Sequence, residues 1–257
     1  MPLSGILRLS RPIRVRMPKT VAIVQSNYIP WKGYFDLIGL SDEFILYDDV
    51  QFTKRDWRNR NKIKTPTGPQ WLTIPVLTKG KFEQPINQTE IGDMNWPRKH
   101  WPTIVQNYAK APHFAEYRER FQTLYEECSE TMLSKVNHRF LAAICWMLGI
   151  GTKISWSSDY PLADGKTERL VGLCKAAGAT TYLSGPAAKA YMDESLFAAQ
   201  GIDVKYMDYT GYAEYDQLYP PFEHGVSVLD LIFHTGADAP RYLKFSSVEK
   251  NSSFERG

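Results

Sequence analysis

The pattern of apolar and polar positions begins with short, β-branched runs separated by a brief helical stretch. Residues 20–25 (TVAIVQ) form a continuous apolar run typical of a buried strand, and residues 43–50 (EFILYDDV) form a second one. A loop and a short helix over residues 33–40 lie between them, which is the expected start of a parallel α/β sheet. A third strand is predicted over residues 71–77, with Pro75 near its end or at a sheet edge.

Helical periodicity replaces this pattern in the middle of the chain. Helices are predicted over residues 96–109, 113–128 and 131–148, the last with an apolar face at spacings of three and four. Alternation then resumes, with predicted strands over 153–156, 181–184 and 204–209 and helices over 167–177, 187–199 and 226–233. The predicted fold is a single Rossmann-like α/β domain over residues 20–245. It has a mainly parallel sheet and a helical subdomain inserted at about 95–150.

Charge is unevenly distributed along the 257 residues. Residues 1–20 carry five positive charges and no acid, out of a formal net charge of +3, which leaves −2 for the remainder. Residues 1–19 are therefore expected to be a basic, disordered extension, and residues 246–257 a loose polar tail. A nearly neutral body lacks the many cations with which a general nucleic-acid-binding protein contacts phosphates.

Composition excludes further classes of protein. No apolar run approaches the ~20 residues that a membrane-spanning helix needs. The three cysteines are far apart and form no CxxC pair, which argues against a disulfide scaffold and a zinc ribbon. This cysteine usage fits a reducing compartment, so we expect a cytoplasmic protein.

The first candidate site is the turn over residues 25–34 (QSNYIPWKGY), where the first strand leaves the core. Gln25 and Asn27 place amide groups at the carboxyl end of that strand, where open parallel sheets bind ligands. Gly33 at the helix start is expected to let backbone N–H groups face an anion. The alternative is that Tyr28 and the other aromatic residues of this turn only fill the core.

The second candidate site is the basic run within residues 48–61. Its members are Lys54, Arg55, Arg58 and Arg60, with Trp57 among them. Arginine forks match phosphate oxygens, and an aromatic ring can stack on a base, so a sugar nucleotide or a phosphopantetheine carrier would supply both partners. The alternative is an ordinary solvated loop. The functional interpretation requires this run and the 25–33 turn to line one common cavity.

Four further residues carry candidate chemistry. Asp48 and Asp49 are predicted either to act as a base or metal ligands, or to cap the loop and pair with its arginines. His100 follows Lys99 among tryptophans and is either catalytic or structural. Ser184, in a strand-to-helix turn, either binds polar groups of a substrate or only completes the turn. Histidine spacing typical of zinc sites is missing from the sequence, and no metal site is predicted.

Residues 30–34 (PWKGY) resemble the P-H-x-G-H turn of nucleotidylyltransferases and pantothenate synthetases. Trp31 and Tyr34 stand in the places of the two histidines, whose imidazoles stabilise the phosphate transition state in those enzymes. The resemblance therefore favours a related fold without the adenylyl-transfer chemistry.

A longer resemblance covers most of the chain. Residues 21–76 are similar to the WbqC-like family of bacterial proteins, as are HWPTIVQNYAKAPHF (100–114), TTYLSGPAAKAYMD (180–193) and SVLDLIFHTG (227–236). The resemblance implies an association with gene clusters for O-antigen and other surface polysaccharides. It also implies a connection with the attachment of acyl or aminoacyl groups to amino sugars.

These observations lead to the hypothesis of a transferase that N-acylates or N-aminoacylates a nucleotide-linked amino sugar. In this hypothesis the four basic residues of the 54–60 run hold the diphosphate, and Trp57 or Tyr28 stacks on the base. The partner is a sugar nucleotide or another phosphorylated small molecule, with a carrier protein as a further candidate. No tightly bound cofactor is expected, and the activated acyl or aminoacyl donor is left unidentified.

The same hypothesis assigns the catalytic roles. Gln25 and Asn27 donate hydrogen bonds to the developing oxyanion, and His100 or Asp49 accepts the proton of the attacking amine. Two alternatives stay open. One is an ATP-using nucleotidyltransferase or ligase-like enzyme, and the other is a non-catalytic carbohydrate-binding assembly factor.

Overall fold

Short strands alternate with helices through most of the structure, a computed structural model that describes residues 17–246. The expected extension up to residue 16 and the expected tail from residue 247 lie outside the described residues. In chain order the strands are β1 (Thr20–Val24), β2 (Glu43–Leu46), β3 (Arg60–Thr65), β4 (Gly68–Thr73), β5 (Lys153–Trp156), β6 (Thr181–Ser184) and β7 (Asp203–Tyr206). The α-helices are α1 (Lys32–Gly39), α2 (Trp96–Tyr108), α3 (Phe114–Glu126), α4 (Leu133–Met147), α5 (Thr167–Ala176), α6 (Glu194–Ala198) and α7 (Val228–Thr235).

Five of the strands form one parallel sheet in the order β5-β2-β1-β6-β7. Counted by their appearance in this sheet, the order is 3-2-1-4-5, which is the order of a Rossmann fold. The predicted α/β class and parallel sheet are therefore confirmed. The strand order reverses between β1 and β6, so the ligand crevice of such a sheet is expected beyond the carboxyl ends of these two strands.

Both faces of the sheet are covered, which explains why the central strands β1 and β2 are buried along nearly their whole length. Alternate residues point to opposite sides: Ala22 and Phe44 join a core that also contains side chains of α1, α7 and the helices α2 to α4. Val21 and Ile45 join the core beneath α5 and α6. The inserted helices thus pack on the sheet itself, through α4 residues such as Phe140.

The predicted third strand lies outside the parallel sheet. The observed strand is β4, which begins at Gly68, ends at Thr73 and pairs antiparallel with β3. The first two residues of β3 are the last two of the predicted basic segment 48–61. The pattern of β3 (RNKIKT) is polar because one of its faces remains partly exposed while Asn61 and Ile63 point into the core. Pro75 follows the hairpin and has no N–H with which to continue the ladder.

The helix predicted over 187–199 is also divided. A 3₁₀ turn over Pro186–Ala190 comes first, and α6 begins only at Glu194. Asp193 starts this second helix by accepting a hydrogen bond from the backbone N of Ser195 at 3.0 Å. The predicted single helix over 187–199 is therefore two separate elements, and Asp193 caps the second.

The amino end of β2 carries a buried ion cluster. Glu43 is 1% exposed and accepts hydrogen bonds from Lys19 Nζ at 2.7 Å and Ser155 Oγ at 2.7 Å, and it pairs with Lys153 Nζ at 2.9 Å. Burial raises the pKa of Glu43, but these donors and the Tyr160 hydroxyl outweigh it and lower that pKa from 4.5 to about 2. Lys19, the last residue of the expected extension, is thus part of the fold.

We expect the ion pairs of Glu43 to make stability pH-dependent. Since the pKa of Glu43 is lower in the folded chain than in the unfolded chain, its stabilisation is complete above about pH 5 and is lost as the pH falls from 4.5 toward 2. The free energy of unfolding of Glu43→Gln, measured in urea, should lie below that of the wild type at pH 6. The difference should shrink as the pH approaches 2, and a difference that is constant over this range would contradict the assignment.

Candidate functional site

A cavity of about 720 Å³ opens beyond the carboxyl ends of β1 and β6, at the place where the strand order reverses. We call it the switch-point cavity. Its lining includes Gln25 after β1, Ser184 at the end of β6, and Arg58 from the segment before β3. Three residues predicted to bind substrate, from three separate parts of the chain, are therefore brought together here.

All the charged side chains that line the switch-point cavity are basic. They are Arg58, Lys166 and Arg169, and no carboxylate of residues 17–246 is part of the lining. Lys166 is exposed and precedes the first turn of α5, while Arg169 lies within that turn and is partly buried. A concave surface with three cations, at the ligand-binding edge of a parallel sheet, suits a phosphorylated ligand.

Arg58 is held in place at both its backbone and its side chain. Its carbonyl oxygen accepts a hydrogen bond from Asn137 Nδ2 at 2.9 Å. Its Nη1 donates to the Gln25 carbonyl at 3.4 Å and to Asn27 Oδ1, and Nη2 lies 3.5 Å from Asp56 Oδ2. The buried Nε has no partner among the described residues, so this guanidinium retains a free donor.

Asp48 fixes the turn that bears these groups. It is 1% exposed, and its carboxylate accepts hydrogen bonds from the backbone N of Ser26 at 2.8 Å and from the Ser134 hydroxyl of α4. Burial raises the pKa of Asp48, and the hydrogen bonds from Ser134 and Ser26 oppose that rise. Of the predicted alternatives, the structure places Asp48 as a cap that joins β1, β2 and α4.

Asp49 lies at the rim of the same region. Its Oδ2 forms an ion pair with Arg169 Nη1 at 3.0 Å, and its Oδ1 accepts a hydrogen bond from the Ser157 hydroxyl. The expected pairing with an arginine is therefore present, but the partner belongs to α5 and not to the basic run. Both carboxylate oxygens are engaged, so Asp49 positions Arg169 at the cavity wall.

The structure places His100 and Tyr28 in the core, away from the cavity. His100 is 6% exposed, with Nδ1 2.9 Å from the Tyr28 hydroxyl and Nε2 3.1 Å from the Thr73 carbonyl oxygen. Burial lowers the pKa of His100 to about 4. Tyr28 is fully buried, and its hydroxyl also bonds to Tyr125 at 2.7 Å. Neither the proton transfer predicted for His100 nor the base stacking predicted for Tyr28 fits these positions.

The basic run does not act as one unit, contrary to the expectation of a common cavity. Lys54, Arg55 and Arg60 line a separate cavity of about 230 Å³, the hairpin cavity. Lys54 is exposed with its Nζ 5.3 Å from the centre of the Phe82 ring, and the Arg60 guanidinium lies 4.0 Å from the Trp71 ring. Arg55 has a φ of +60°, a left-handed turn that directs the chain into β3. Only Arg58 reaches the switch-point cavity.

Asn27 and Trp57 line a third space of about 330 Å³, together with Pro30, Trp31, Asn61 and Gly225. We call it the indole cavity. Trp57 is 39% exposed and packs against Trp71, with ring centroids 5.1 Å apart. The expectation that Trp57 stacks on a base beside all four cations is therefore not matched by its position.

Gly33 has a packing role at the start of α1. The indole of Trp31 folds over it, and a Cβ at this position would lie 2.4 Å from Trp31 Cζ2. The close approach requires glycine, but the space expected for an anion above Gly33 is filled by the indole ring.

Sequence reasoning missed the contribution of α5 and the tyrosines. Lys166 and Arg169 follow β5 and reach the same carboxyl edge as the residues after β1 and β2. Applying the strand-end rule to this later βα connection would have found them. Tyr47, Tyr182 and Tyr191 also line the cavity, and no spacing in the sequence distinguishes them from core aromatic residues.

Other chemistry finds no support in the described chain. The thiols of Cys128, Cys145 and Cys174 are free and buried, and burial raises the pKa of each to about 12, so they are protonated and poor nucleophiles. Among residues 17–246, no group of three or more His, Cys, Asp or Glu side chains is placed to hold a metal ion. None of the helices in that range combines the length and apolar character needed to cross a membrane.

We expect Asp48→Ala to lower the free energy of unfolding by about 2–4 kcal/mol, because the Ser26 N–H and the Ser134 hydroxyl lose their buried acceptor. The matched control is Asp203→Ala, at an exposed aspartate that starts β7, with an expected change within about 0.5 kcal/mol. Urea denaturation measures both. Equal stabilities for the two variants would show that Asp48 does not secure the turn.

The position of His100 predicts an imidazole that stays neutral at ordinary pH. With a pKa of about 4, its ring resonances should not shift between pH 5.5 and 8 in NMR spectra of the folded protein. His100→Asn identifies the signal. A midpoint near pH 6.5 for that signal would mean that the ring is accessible, and a catalytic role would become admissible again.

Similarity to known proteins covers most of the described residues. The uncharacterized protein Rv1507c of Mycobacterium tuberculosis (strain ATCC 25618 / H37Rv) is 55% identical over 227 residues, covering 88% of this chain and 98% of that protein. No solved structure is significantly similar to the chain. A sequence model of the WbqC-like protein family matches residues 25–242, from the turn after β1 to the segment after α7. The chain belongs to the WbqC-like family.

Proposed function

We propose that this protein is a transferase that binds a nucleotide-linked amino sugar and attaches an acyl or aminoacyl group to the sugar nitrogen. The observation that carries the proposal is the switch-point cavity, whose charged lining residues are all basic. The association of WbqC-like proteins with surface-polysaccharide gene clusters, implied by the sequence resemblance, supports a sugar nucleotide as the phosphorylated ligand. The modified sugar nucleotide then serves in the biosynthesis of O-antigen or a related polysaccharide.

Three cations are suited to hold the diphosphate. Arg58 lines the cavity with a guanidinium that is held by Asn27, and Arg169 is oriented by Asp49. Lys166 is exposed and provides a positive charge directly before the first turn of α5. Bidentate arginine contacts and a lysine point charge are complementary ways of binding phosphate oxygens.

The base has aromatic partners within the same cavity. Tyr47 and Tyr191 line it, and Tyr191 is 74% exposed. Either ring can stack on a nucleobase, and both lie in the cavity that contains the cations. These tyrosines therefore take the role that sequence reasoning gave to Trp57 and Tyr28.

Acyl transfer to an amine needs stabilisation of the oxyanion more than a strong base. The nitrogen–carbon bond forms while the bond from the carbonyl carbon to the leaving group breaks, and the amine proton passes to the leaving group. Asn27 lines the indole cavity, and its Nδ2 has no hydrogen-bond acceptor among the described residues. Gln25 lines the neighbouring switch-point cavity. Their side-chain amides supply the donors to the oxyanion. The activated donor arrives as a separate molecule or on a carrier protein.

We expect Arg169→Ala to weaken the binding of a nucleoside diphosphate about tenfold or more, because one charge-assisted contact to phosphate is lost. Lys175→Ala, an exposed lysine on the same helix, is the matched control and should bind like the wild type. Isothermal titration with UDP, GDP and dTDP gives the affinities. Failure of the wild type to bind any of them at millimolar concentration would overturn the proposal.

Turnover is tested with the purified protein, nucleotide-linked amino sugars and activated acyl or aminoacyl donors. A gain in product mass equal to the transferred group supports the transferase, and Arg58→Ala should lower its rate at limiting substrate. Pyrophosphate release from ATP would favour the nucleotidyltransferase or ligase alternative instead. Nucleotide-sugar binding without turnover for any donor class would favour a non-catalytic assembly factor.

A further inference from the structure

We infer that the indole cavity is the subsite for the sugar ring of the nucleotide-linked substrate, an inference that rests on the proposed function. This cavity is separate from the switch-point cavity, and the two share no lining residue. The ligand class is a hexopyranose ring carrying hydroxyl and amino substituents.

The size and walls of the indole cavity suit a single ring. Its volume of about 330 Å³ is at the lower end of the range of small-molecule sites, which is about 300–1,000 Å³. Trp31 and Trp57 contribute aromatic faces, and Pro30 adds a rigid apolar surface. No charged side chain of the described residues lines it, so the cavity favours a neutral group over a phosphate.

The walls of the cavity are held together before any ligand arrives. The Trp57 carbonyl accepts a hydrogen bond from the backbone N of Tyr28 at 3.2 Å, and Asn61 Nδ2 donates to the Tyr28 carbonyl at 3.1 Å. On the opposite side, the Pro30 carbonyl accepts from the backbone N of Val228 at 2.9 Å. A preformed site loses little conformational entropy on binding.

The polar groups of the cavity match the substituents of a sugar. The two Asn61 side-chain groups are already engaged, because its Oδ1 accepts a hydrogen bond from the backbone N of Lys62 at 2.8 Å. Asn27 differs, since only its Oδ1 is used, by Arg58. Its amide NH₂ is therefore available to a hydroxyl of the sugar ring, or to the oxyanion that forms on the donor carbonyl when the amino group of the sugar attacks it.

Arg58 connects the two cavities. Its guanidinium lines the switch-point cavity, and the same Nη1 donates to Asn27 Oδ1 at the wall of the indole cavity. In this arrangement a diphosphate bound to Arg58 carries its nucleoside on the side of the switch-point cavity and its sugar on the side of the indole cavity. The nucleoside then occupies the larger space with its tyrosines, and the sugar ring extends past Asn27 between the indoles.

The experiment compares each nucleoside diphosphate with a conjugate that carries an amino sugar, by isothermal titration: UDP with UDP-glucosamine, GDP with GDP-perosamine, and dTDP with a dTDP-linked 4-amino-4,6-dideoxyhexose. For the pair that binds, the wild type should bind the conjugate more tightly. Trp57→Ala should weaken binding of the conjugate about tenfold and leave the affinity for the diphosphate unchanged, as expected for the loss of one aromatic contact. Trp57→Phe should retain most of the affinity for the conjugate.

Trp146→Ala is the matched control, because this tryptophan is 66% exposed on α4 and lines neither cavity. It should change neither affinity. If the sugar adds no affinity in the wild type, or if Trp57→Ala weakens both ligands equally, the sugar subsite is wrong while the proposed function stands. If no diphosphate or conjugate binds at all, the proposed function fails and the subsite fails with it.

Discussion

The geometry of the candidate site depends on one buried carboxylate, that of Asp48. A carboxylate removed from water is stable only when hydrogen bonds replace its hydration, and Asp48 obtains them from the turn after β1 and from Ser134 of α4. The same helix contributes Asn137, which donates to Ser26 Oγ at 2.9 Å and to the Arg58 carbonyl. A single connected network therefore fixes the end of β1, the end of β2 and the backbone of the arginine at the cavity wall. The inserted helices are thus part of the architecture of the site, although none of their residues lines the switch-point cavity.

The position of the cavity follows from the topology, and its charge follows from which loops meet there. Because the strands are parallel, all of the connections from a strand to the next helix lie at the same edge of the sheet. The strand order reverses between β1 and β6, which leaves a gap at that edge between the helices on the two faces. The opposite, amino edge has a different character. There the buried Glu43 is neutralised by Lys19 and Lys153, so the charges form a closed cluster. At the carboxyl edge Arg58 and Arg169 each pair with an aspartate, but those aspartates do not line the cavity, and the charged residues that do line it, including Lys166, are all basic.

The sheet could be predicted from the sequence because its central strands are short and apolar and its strands are separated by helical periodicity, and those signals are local. The residues of the site could be predicted only in part. Gln25 and Ser184 were found because they end strands, and the strand-end rule depends on topology alone. The interpretation of the basic run was wrong because the density of charge along the chain does not show where each side chain points. β3 begins at Arg60, and the left-handed turn at Arg55 places Lys54, Arg55 and Arg60 at the hairpin cavity. The interpretation of His100 was wrong because a local sequence of one histidine among tryptophans is as compatible with a buried core as with a functional site.

A second buried carboxylate secures the other end of the segment that carries Arg58. Asp230 on α7 is fully buried and accepts hydrogen bonds from the Tyr108 hydroxyl at 2.9 Å and the Tyr215 hydroxyl at 2.8 Å. The Tyr108 hydroxyl in turn accepts from the backbone N of Lys64, so the hairpin is joined to both α2 and α7. The chain from residue 48 to residue 64 is therefore fixed at both ends, at one end by Asp48 and at the other, through Tyr108, by Asp230. Each of these buried carboxylates needs all of its hydrogen-bond donors to be stable. Slippage by one residue would leave buried N–H groups and carboxylate oxygens unpaired at both ends. The segment therefore has one register, and the backbone of Arg58 is fixed by Asp48, Asn137 and Asp230, none of which lines either cavity.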